Sequence, residues 1–466
     1  MARFDLIILG GGAAGFAAAM KASDLGAKAL MINDRAVGLG GTCVNVGCVP
    51  TKHLLHITEF IHRARNLPFP GVEASVSFDF RTLIREKDAL IARMRQEKYE
   101  KVLKALPKVD FVEGEAQFVS GSQVQTNGKT FGAEKFIIAT GSSPFVLPLP
   151  GMEDIDYLTN AEALELEEQP SSLLILGGRA LAVEFAQLFS RLGTKVTLLQ
   201  RSERILPTQE PELAELLMGY LRAEGIEIHT GVQLKSIRQS GERIQILAFV
   251  KGKERAFQAE KILMATGRRP NTSRIGWEKA GISLGRSGEI LVDEEMRAAE
   301  NVWAAGDVTG EPMLETVAAK EGMTAAHNAL SDAKIKMDYR VVPRAIFCDP
   351  QLAVVGLTDA EANAAGMPCQ CNTVPLELVP KARAIKDTRG AIKIVTNKET
   401  QEILGVHILS PQAADLIHEA VMILTNRMSI DDVIHTLHVF PTLSEAIKLG
   451  AQAFRRDITK MSCCAE

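Results

Sequence analysis

Apolar residues near the start of the chain follow first a strand pattern and then a helix pattern. Residues 4–9 form a short apolar run, and Ala and Met at helical spacing follow it as far as Leu25. A second apolar run covers residues 29–32. The succession predicts strand, helix and parallel strand, which is one βαβ unit.

A similar unit begins at residues 173–176, with a predicted helix through Leu192 and a strand over residues 196–199. Two Ala-Thr-Gly strand ends, at residues 139–141 and 265–267, bracket this unit as though it were inserted into the first. Pro144, Pro148 and Pro150 mark a linker, and residues 302–307 return to the first unit.

From about Tyr339 the pattern changes to short strands and two helices, at residues 413–425 and 444–454. The predicted fold is α/β, with two Rossmann-like dinucleotide-binding domains, one inserted in the other, and a C-terminal α+β dimerisation domain. The expected limits are residues 1–147 with 268–338, residues 148–267, residues 339–455 and a flexible tail at 456–466.

Composition narrows the class of protein. Of 466 residues, 46% are hydrophobic, and 53 basic residues against 57 acidic residues give a net charge of −4, which disfavours nucleic-acid and anionic-membrane partners. No stretch is long and apolar enough to span a bilayer, and the first strand begins too early for a signal peptide. We therefore expect a cytoplasmic protein without membrane insertion, whose seven Cys are catalytic, metal-binding or buried.

The sequence Gly10-x-Gly12-x-x-Gly15 follows the first strand directly. Such a turn lets a pyrophosphate approach the backbone closely and aims a helix N-terminus at its charge. An acidic residue usually ends the next strand and holds the ribose, but here Asn33 stands there with Asp34 beside it. The motif predicts a dinucleotide site with an unusual ribose contact.

The second turn, Gly177-Gly178-Arg179, departs further from that fingerprint. Its following strand ends in Gln200-Arg201-Ser202, which offers a guanidinium rather than a carboxylate to the ribose. Arg201, helped by Arg204, therefore favours the 2′-phosphate of NADPH over NADH; a solvated surface role is the alternative.

Cys43 and Cys48 stand five residues apart after Gly40-Gly41-Thr42. On the first turns of a helix, the positive end of the dipole would lower a thiolate pKa and the two sulfurs could meet. This spacing suits two-electron redox chemistry better than a zinc half-site, which needs two more ligands.

With these motifs the chain resembles the flavin-dependent pyridine nucleotide-disulfide oxidoreductases, the group of glutathione reductase and dihydrolipoamide dehydrogenase. The resemblance implies FAD on the first domain, with Asp307 near the ribityl chain and Lys52 paired with Glu184 beside the flavin. It also implies NADPH on the inserted domain and a homodimer. The residues expected to bind the cofactors are Gly10, Gly12, Ala14, Gly15, Asn33, Asp34, Gly41, Thr42, Lys52, Thr140, Gly141, Gly177, Ala182, Arg201, Arg204, Gly267 and Asp307.

Two features set this chain apart within the family. The residue before Pro441-Thr442, a His in disulfide reductases, is Phe440, although the partner Glu445 remains; His438 is a possible substitute. General acid-base help is worth roughly 10² to 10⁴ in rate, so its loss favours an electron acceptor that takes no proton, such as a metal ion. The terminus carries adjacent Cys463 and Cys464, suited to seize a thiophilic ion and exchange it onward.

Together these features resemble the metal-reducing branch of the family. The resemblance implies NADPH-dependent reduction of Hg(II) to volatile Hg(0), with Hg(II)-thiolate complexes as substrate. Cys463 and Cys464 of one subunit would deliver Hg(II) to Cys43 and Cys48 of the other, and Tyr99 would face the metal. The N-terminal metal-binding module of many members is not found in the sequence, so we expect Hg(II) to come from other thiols or directly to Cys463 and Cys464.

Two alternatives remain open at this point. One is a thioredoxin-reductase-like enzyme whose terminal Cys pair passes electrons to a disulfide, which needs a proton donor where Phe440 sits. The other is a flavoprotein that binds thiophilic metal without turnover. Cys369 and Cys371 match no motif and read as surface or packing residues, and Cys348 reads as a core thiol.

Overall fold

The computed structural model describes residues 3–460 and contains four main groups of strands. The largest sheet has a parallel centre, and its strands follow the order Arg297–Ala299, Val302–Ala304, Lys129–Ile138, Arg3–Leu9, Ala29–Asn33 and Val109–Glu113. In the hairpin of Gln117–Ser120 and Gln123–Thr126, the second strand pairs antiparallel with the first residues of Lys129–Ile138. The continuous apolar runs read in the sequence are buried on both faces of this sheet, as parallel strands require.

Helices pack on one face of that sheet, whereas the hairpin and the segments of residues 275–308 cover the other face. The helices of this region are Ala13–Asp24, Gly41–Asn45, Cys48–Arg65, Phe80–Arg95, the π-helical turn Gln96–Glu100, Lys101–Ala105 and Glu315–Leu330. Small residues let Ala13–Asp24 and Glu315–Leu330 pack backbone to backbone: a Cβ on Gly322 would lie 2.0 Å from the Ala14 carbonyl oxygen. This close contact fixes the direction of the first helix, whose N-terminus points to the Gly10 turn.

The inserted unit has its own parallel sheet, in the order Glu227–His229, Lys195–Leu199, Ser172–Leu176 and Lys261–Met264. Its helices are Asn160–Leu164, Ala180–Leu192 and Pro211–Ala223. An antiparallel meander of Val232–Ser240, Arg243–Val250 and Lys253–Ala259, which the sequence pattern did not predict, packs on this sheet. Ser142–Pro144 pairs with Arg268–Pro270, so the chain leaves the first unit and re-enters it side by side.

The last unit is an antiparallel sheet with helices on it. Its strands follow the order Arg344–Ile346, Gln351–Gly356, Ile403–Ser410, Ala391–Asn397 and Cys369–Pro375. Its helices are Asp359–Ala364, Pro380–Ala384, Ala413–Thr425, Ile430–His435 and Glu445–Gln452. The remaining turns are the 3-10 helices Met152–Asp154, Trp277–Ala280, Asp307–Thr309, Leu376–Leu378 and Ile458–Lys460. Within residues 3–460, the longest apolar helices fall short of what crossing a membrane requires.

Buried charges join the inserted unit to the last one. Arg191 Nη2 lies 2.7 Å from Glu224 and 2.8 Å from Asp349; Arg191 and Asp349 are buried and Glu224 is nearly so. Lys393, also buried, reaches back to Glu210 at 2.8 Å. These contacts hold the last unit against the helix Ala180–Leu192, which carries Glu184.

Candidate active site

The first glycine turn is built for a close approach of backbones. Gly10 has φ +114°, and a Cβ there would lie 2.1 Å from the Ala139 carbonyl oxygen; a Cβ on Gly15 would lie 1.9 Å from the Gly10 carbonyl oxygen. The helix Ala13–Asp24 begins without a side-chain cap and without an acidic residue in its first turn. Its free N–H groups therefore fit a pyrophosphate, as FAD requires.

The side chains of Asn33 and Asp34 accept hydrogen bonds from the backbone of this loop. The Asn33 Oδ1 atom accepts a 2.7 Å hydrogen bond from Gly11 N, and Asp34 Oδ1 accepts one of 3.1 Å from Ala36 N. Gly41, at φ +64°, closes the other wall, because a Cβ there would lie 2.7 Å from the Cα of Gly12. Asn33 thus holds the turn in place, a role the sequence pattern did not indicate.

The second glycine turn has the same construction. Gly177 has φ +121° and sits against the Ala265 carbonyl, while the buried side chain of Gln200 packs on Gly178. The helix Ala180–Leu192, on which Ala182 is buried, again starts without a side-chain cap or an acidic first turn. Arg201 is exposed beside it, and among the described residues the buried Nε of Arg204 has no hydrogen-bond partner. These donors fit a phosphorylated dinucleotide.

The Cys pair lies on two helical segments rather than on one. Cys43 belongs to Gly41–Asn45, and Cys48 is the first residue of Cys48–Arg65; the break falls at Val46 and Gly47. The expectation of a single helix is therefore wrong. A Cβ on Gly47 would lie 2.7 Å from the Thr42 carbonyl oxygen, which explains why Gly occupies the break.

The two thiols are hydrogen-bonded to each other. The Cys43 thiol donates a hydrogen bond to Cys48, which lowers the pKa of Cys48 and raises that of Cys43; burial raises the pKa of Cys43 further. Lys52, one turn along the helix, lowers both, whereas exposed Glu315 raises both. Cys48 is thus the more acidic thiol of the pair, exposed at a helix N-terminus where the dipole favours its ionised form.

Lys52 and Glu184 form an ion pair where three parts of the chain meet. Lys52 Nζ lies 2.8 Å from Glu184 Oε2, and Glu184 is buried. Glu184 Oε1 also accepts a 2.9 Å hydrogen bond from Phe347 N, and Lys52 Nζ lies 4.8 Å from the centre of the Phe347 ring. The pair therefore links the Cys helix, the inserted unit and the last unit.

A chain of hydrogen bonds runs from Asp307 to Thr42 through Ser142 and Arg268, two residues that the motifs did not reveal. Ser142 Oγ donates to Asp307 at 2.6 Å, and Arg268 donates to Ser142 Oγ at 2.7 Å and to Thr42 Oγ1 at 3.4 Å. Burial lowers the pKa of Arg268. Arg268 follows Gly267 in the second Ala-Thr-Gly strand end, and this repeat was the one available signal for it. Thr140 and Gly141 hold Asn271 through backbone and side-chain hydrogen bonds.

Tyr99 lies beside the Cys pair on the π-helical turn Gln96–Glu100. Its ring stacks edge-on against Phe16 at 5.0 Å and covers Gly40. Burial, and then the negative charge that Cys43 can carry, raise the pKa of Tyr99, so the phenol stays protonated and can donate toward the sulfurs. The turn thus places Tyr99 close enough to both thiols for their charges to act on its pKa.

The segment around Phe440 is largely exposed to solvent. Leu437, Val439 and Phe440 are 85%, 77% and 54% exposed. The ring nitrogens of His438 are already engaged, Nε2 with Glu419 at 2.7 Å and Nδ1 with the Thr436 carbonyl at 3.0 Å. Glu445 accepts a 3.2 Å hydrogen bond from Thr442 N. Cys463 and Cys464 lie outside the described residues.

Comparison with known proteins places this chain in a family. Residues 4–330 match the model of the pyridine nucleotide-disulphide oxidoreductases, and residues 342–451 match the dimerisation domain of the same family. The chain therefore belongs to the pyridine nucleotide-disulphide oxidoreductases, a class of flavoprotein redox enzymes.

Within that class the chain is similar to several curated mercuric reductases. It is 41% identical over 464 residues to the one from Staphylococcus aureus, covering 99% of this chain and 84% of that protein. It is 40% identical to the one from Streptomyces lividans, covering 99% and 98%. Among solved structures, the HOCl-induced flavoprotein disulfide reductase RclA from Escherichia coli matches with a TM-score of 0.86 at 28% identity, covering 96% and 99%.

Proposed function

We propose that the chain is an NADPH- and FAD-dependent mercury(II) reductase that converts Hg(II) to volatile Hg(0). The observation that carries this function is the hydrogen-bonded pair of Cys43 and exposed Cys48, in which the pKa of Cys48 is lowered, in a chain that has Phe440 where disulfide reductases carry a base. The mercuric reductase relatives match over nearly the whole chain. They favour this function over a disulfide reductase or a metal-storage flavoprotein.

The residues present fit both cofactors, as the two uncapped glycine turns and the unpartnered Arg204 Nε indicate. The residues that would hold FAD line the Gly10 turn together with Asp307, and Arg201 and Arg204 would hold the 2′-phosphate of NADPH. When bound, these cofactors supply the two electrons that turn Hg(II) into Hg(0).

The sulfurs of this chain bind the metal ion and transfer it. Hg(II) arrives as a complex with two thiolates; each incoming thiolate forms one Hg–S bond as one carrier thiolate leaves, so charge and ligand number are conserved. Cys463 and Cys464 take the ion first, and Cys48 and then Cys43 take it over. Tyr99, a protonated phenol beside the pair, orients the complex by donating to a sulfur. Lys52 offsets the negative charge of the two thiolates.

The working form is a homodimer, in line with the dimerisation domain at residues 342–451. The exposed apolar surface of Leu437, Val439 and Phe440 suits burial against a second subunit. We further propose that the tail serves the partner's Cys43 and Cys48, and that the enzyme works in a reducing, cytoplasmic setting where thiols stay free.

One experiment tests the activity against its rivals. NADPH oxidation by the purified FAD-loaded chain is followed with Hg(II) plus excess thiol, with oxidised glutathione, with a protein disulfide and with Cu(II), while volatile mercury is trapped. Of these four acceptors, we expect only Hg(II) with excess thiol to support sustained NADPH oxidation, with one Hg(0) collected per NADPH. Turnover with a disulfide but not with Hg(II) would favour the thioredoxin-reductase-like enzyme. Tight Hg(II) binding without NADPH use would favour the flavoprotein that binds metal without turnover.

A further inference from the structure

Cys369, Cys371 and Asp359 lie together on the last unit, apart from the redox pair. The two Sγ atoms and a carboxylate oxygen are all within 4.8 Å of one another, and Cys369 Sγ lies 3.3 Å from Asp359 Oδ1. In residues 3–460 this is the one group of three His, Cys, Asp or Glu side chains with such spacing. It shares no described contact with Cys43 or Cys48.

The fold explains why these three side chains converge. Cys369 and Cys371 are two residues apart on the strand Cys369–Pro375, so both project from the same face. Asp359 is the first residue of the helix Asp359–Ala364, which leads by a short turn into that strand. Asn363 Nδ2 holds Asp359 Oδ1 at 2.8 Å, so the carboxylate is already oriented.

The surroundings favour a cation that can enter from solvent. All three side chains are half-buried, and the strand is the edge of its sheet, unlike the fully buried Cys348. Glu210 accepts a 2.7 Å hydrogen bond from Asp359 N. Glu210 and Glu212 share the single ammonium of Lys393, so negative charge remains in excess beside the site.

We infer that Cys369, Cys371 and Asp359 form a second metal site that binds one soft divalent cation such as Zn(II), Cd(II) or Hg(II). Two thiolates and one carboxylate are a ligand set that such ions prefer, and a solvent molecule would complete a four-coordinate shell. On binding, two S–H bonds are replaced by two S–metal bonds, and two protons leave to solvent. A tetrahedral ion with S–metal bonds of about 2.3 Å needs sulfurs roughly 3.8 Å apart, within the observed spacing.

The test uses the full-length, FAD-loaded chain with Cys43, Cys48, Cys463 and Cys464 changed to Ser, so that Cys348, Cys369 and Cys371 are the remaining thiols. Cd(II) is the probe, followed by equilibrium dialysis and by thiolate-to-metal charge-transfer absorption. We expect one Cd(II) per chain. Adding C369S and C371S should weaken Cd(II) binding about 100-fold and remove the charge-transfer absorption. D359N should weaken Cd(II) binding about 10-fold and leave the absorption in place.

C348S in the same background is the matched control, because it removes a thiol that lies outside the cluster; it should leave Cd(II) binding unchanged. Binding that survives C369S and C371S, or that is absent at the start, overturns the inference.

A second measurement avoids dependence on the variants: in the unaltered chain, Cd(II) should protect Cys369 and Cys371 from alkylation, as read by peptide mass spectrometry. Equal alkylation with and without Cd(II) would contradict the site. Displacement of Cd(II) by Zn(II) or by Hg(II) then identifies the preferred ion.

Discussion

Single residues in this protein are placed by contacts with several elements at once. Glu184 bonds Lys52 from one unit and the backbone of Phe347 from another, so one carboxylate fixes a side chain and a loop together. His438 is held similarly, with one ring nitrogen on Glu419 and the other on the backbone. This arrangement leaves His438 a structural role rather than the role of a substitute base.

The His438–Glu419 pair predicts a pH-dependent stability. The hydrogen bond to Glu419 raises the pKa of His438 above its usual 6.5, against the opposing effect of burial. A raised folded-state pKa means that the stabilisation is complete below about pH 6.5 and is lost as pH rises through the higher folded value.

The E419Q variant should therefore be less stable than the parent chain by about 1.5 kcal/mol at pH 6, with the difference shrinking toward pH 9. Denaturant unfolding monitored at several pH values measures this. A difference that stays constant with pH, or grows as pH rises, would contradict the assignment. The exposed pair Lys235–Glu254 offers a control in E254Q, for which we expect little change.

At the scale of elements, the glycine turns and uncapped helices decide where the cofactors can bind. Gly10 and Gly15 bring the end of the first strand against the first helix without any intervening side chain. The helices after both glycine turns start with unsatisfied N–H groups. The Cys43–Cys48 geometry likewise depends on an element boundary, because the break at Gly47 places Cys48 at a helix start.

Two helical glycines should respond oppositely to Ala. In G15A the new Cβ would collide with the Gly10 carbonyl oxygen 1.9 Å away, so we expect loss of bound FAD and a lower Tm. In G219A nothing lies within 4 Å of the new Cβ, and exposed Gly219 sits inside the helix Pro211–Ala223. That variant should be more stable by about 0.5–1 kcal/mol. Flavin absorbance and thermal unfolding decide; equal effects of the two changes would refute this account of the turn.

At the scale of the whole molecule, buried ion pairs hold the units in the positions that complete the site. Asp349 lies 2.8 Å from Arg191 and 2.9 Å from Arg389. Burial opposes ionisation of Asp349, but these two arginines outweigh it and lower its pKa. The stabilisation is therefore present above the ordinary Asp range and lost as pH falls through the lowered value.

D349N should strongly weaken the contact between the inserted and last units. Leaving Arg191 and Arg389 short of a charged partner costs about 3 kcal/mol, which corresponds to a Tm lower by about 5 °C or more. Flavin fluorescence and far-ultraviolet circular dichroism both report the change. E168Q, which breaks the exposed pair with Arg81, is the control and should alter Tm little. A D349N protein with unchanged Tm would show that the network is not important for stability.

The proposed sharing of the site between subunits can be tested with hybrid dimers. A C43S/C48S chain and a C463S/C464S chain should each be nearly inactive with Hg(II) when free thiol is limiting. The purified hybrid of the two is expected to recover about half the parent rate, since one subunit's tail then meets the other's intact pair. No recovery in the hybrid, with a correct dimer, would place the tail on its own subunit's thiols.

The sequence by itself determined the class of protein, because the evidence for it is local. Glycine spacing, the Cys pair and apolar runs are set by backbone sterics and burial, so they predicted the parallel strands, both glycine turns and the family. The antiparallel meander at residues 232–259 was not predicted, because its two outer strands are mostly polar and bury few positions, although the middle strand alternates.

Only the tertiary structure decided which distant groups meet. Arg268 with Ser142, Glu184 with Phe347, and Asp359 with two cysteines depend on how separate elements pack, and no spacing in the chain encodes those distances. Asn33, His438 and the coupled thiols show the same limit. Hydrogen bonding and burial set their chemistry, and both arise only once the chain is folded.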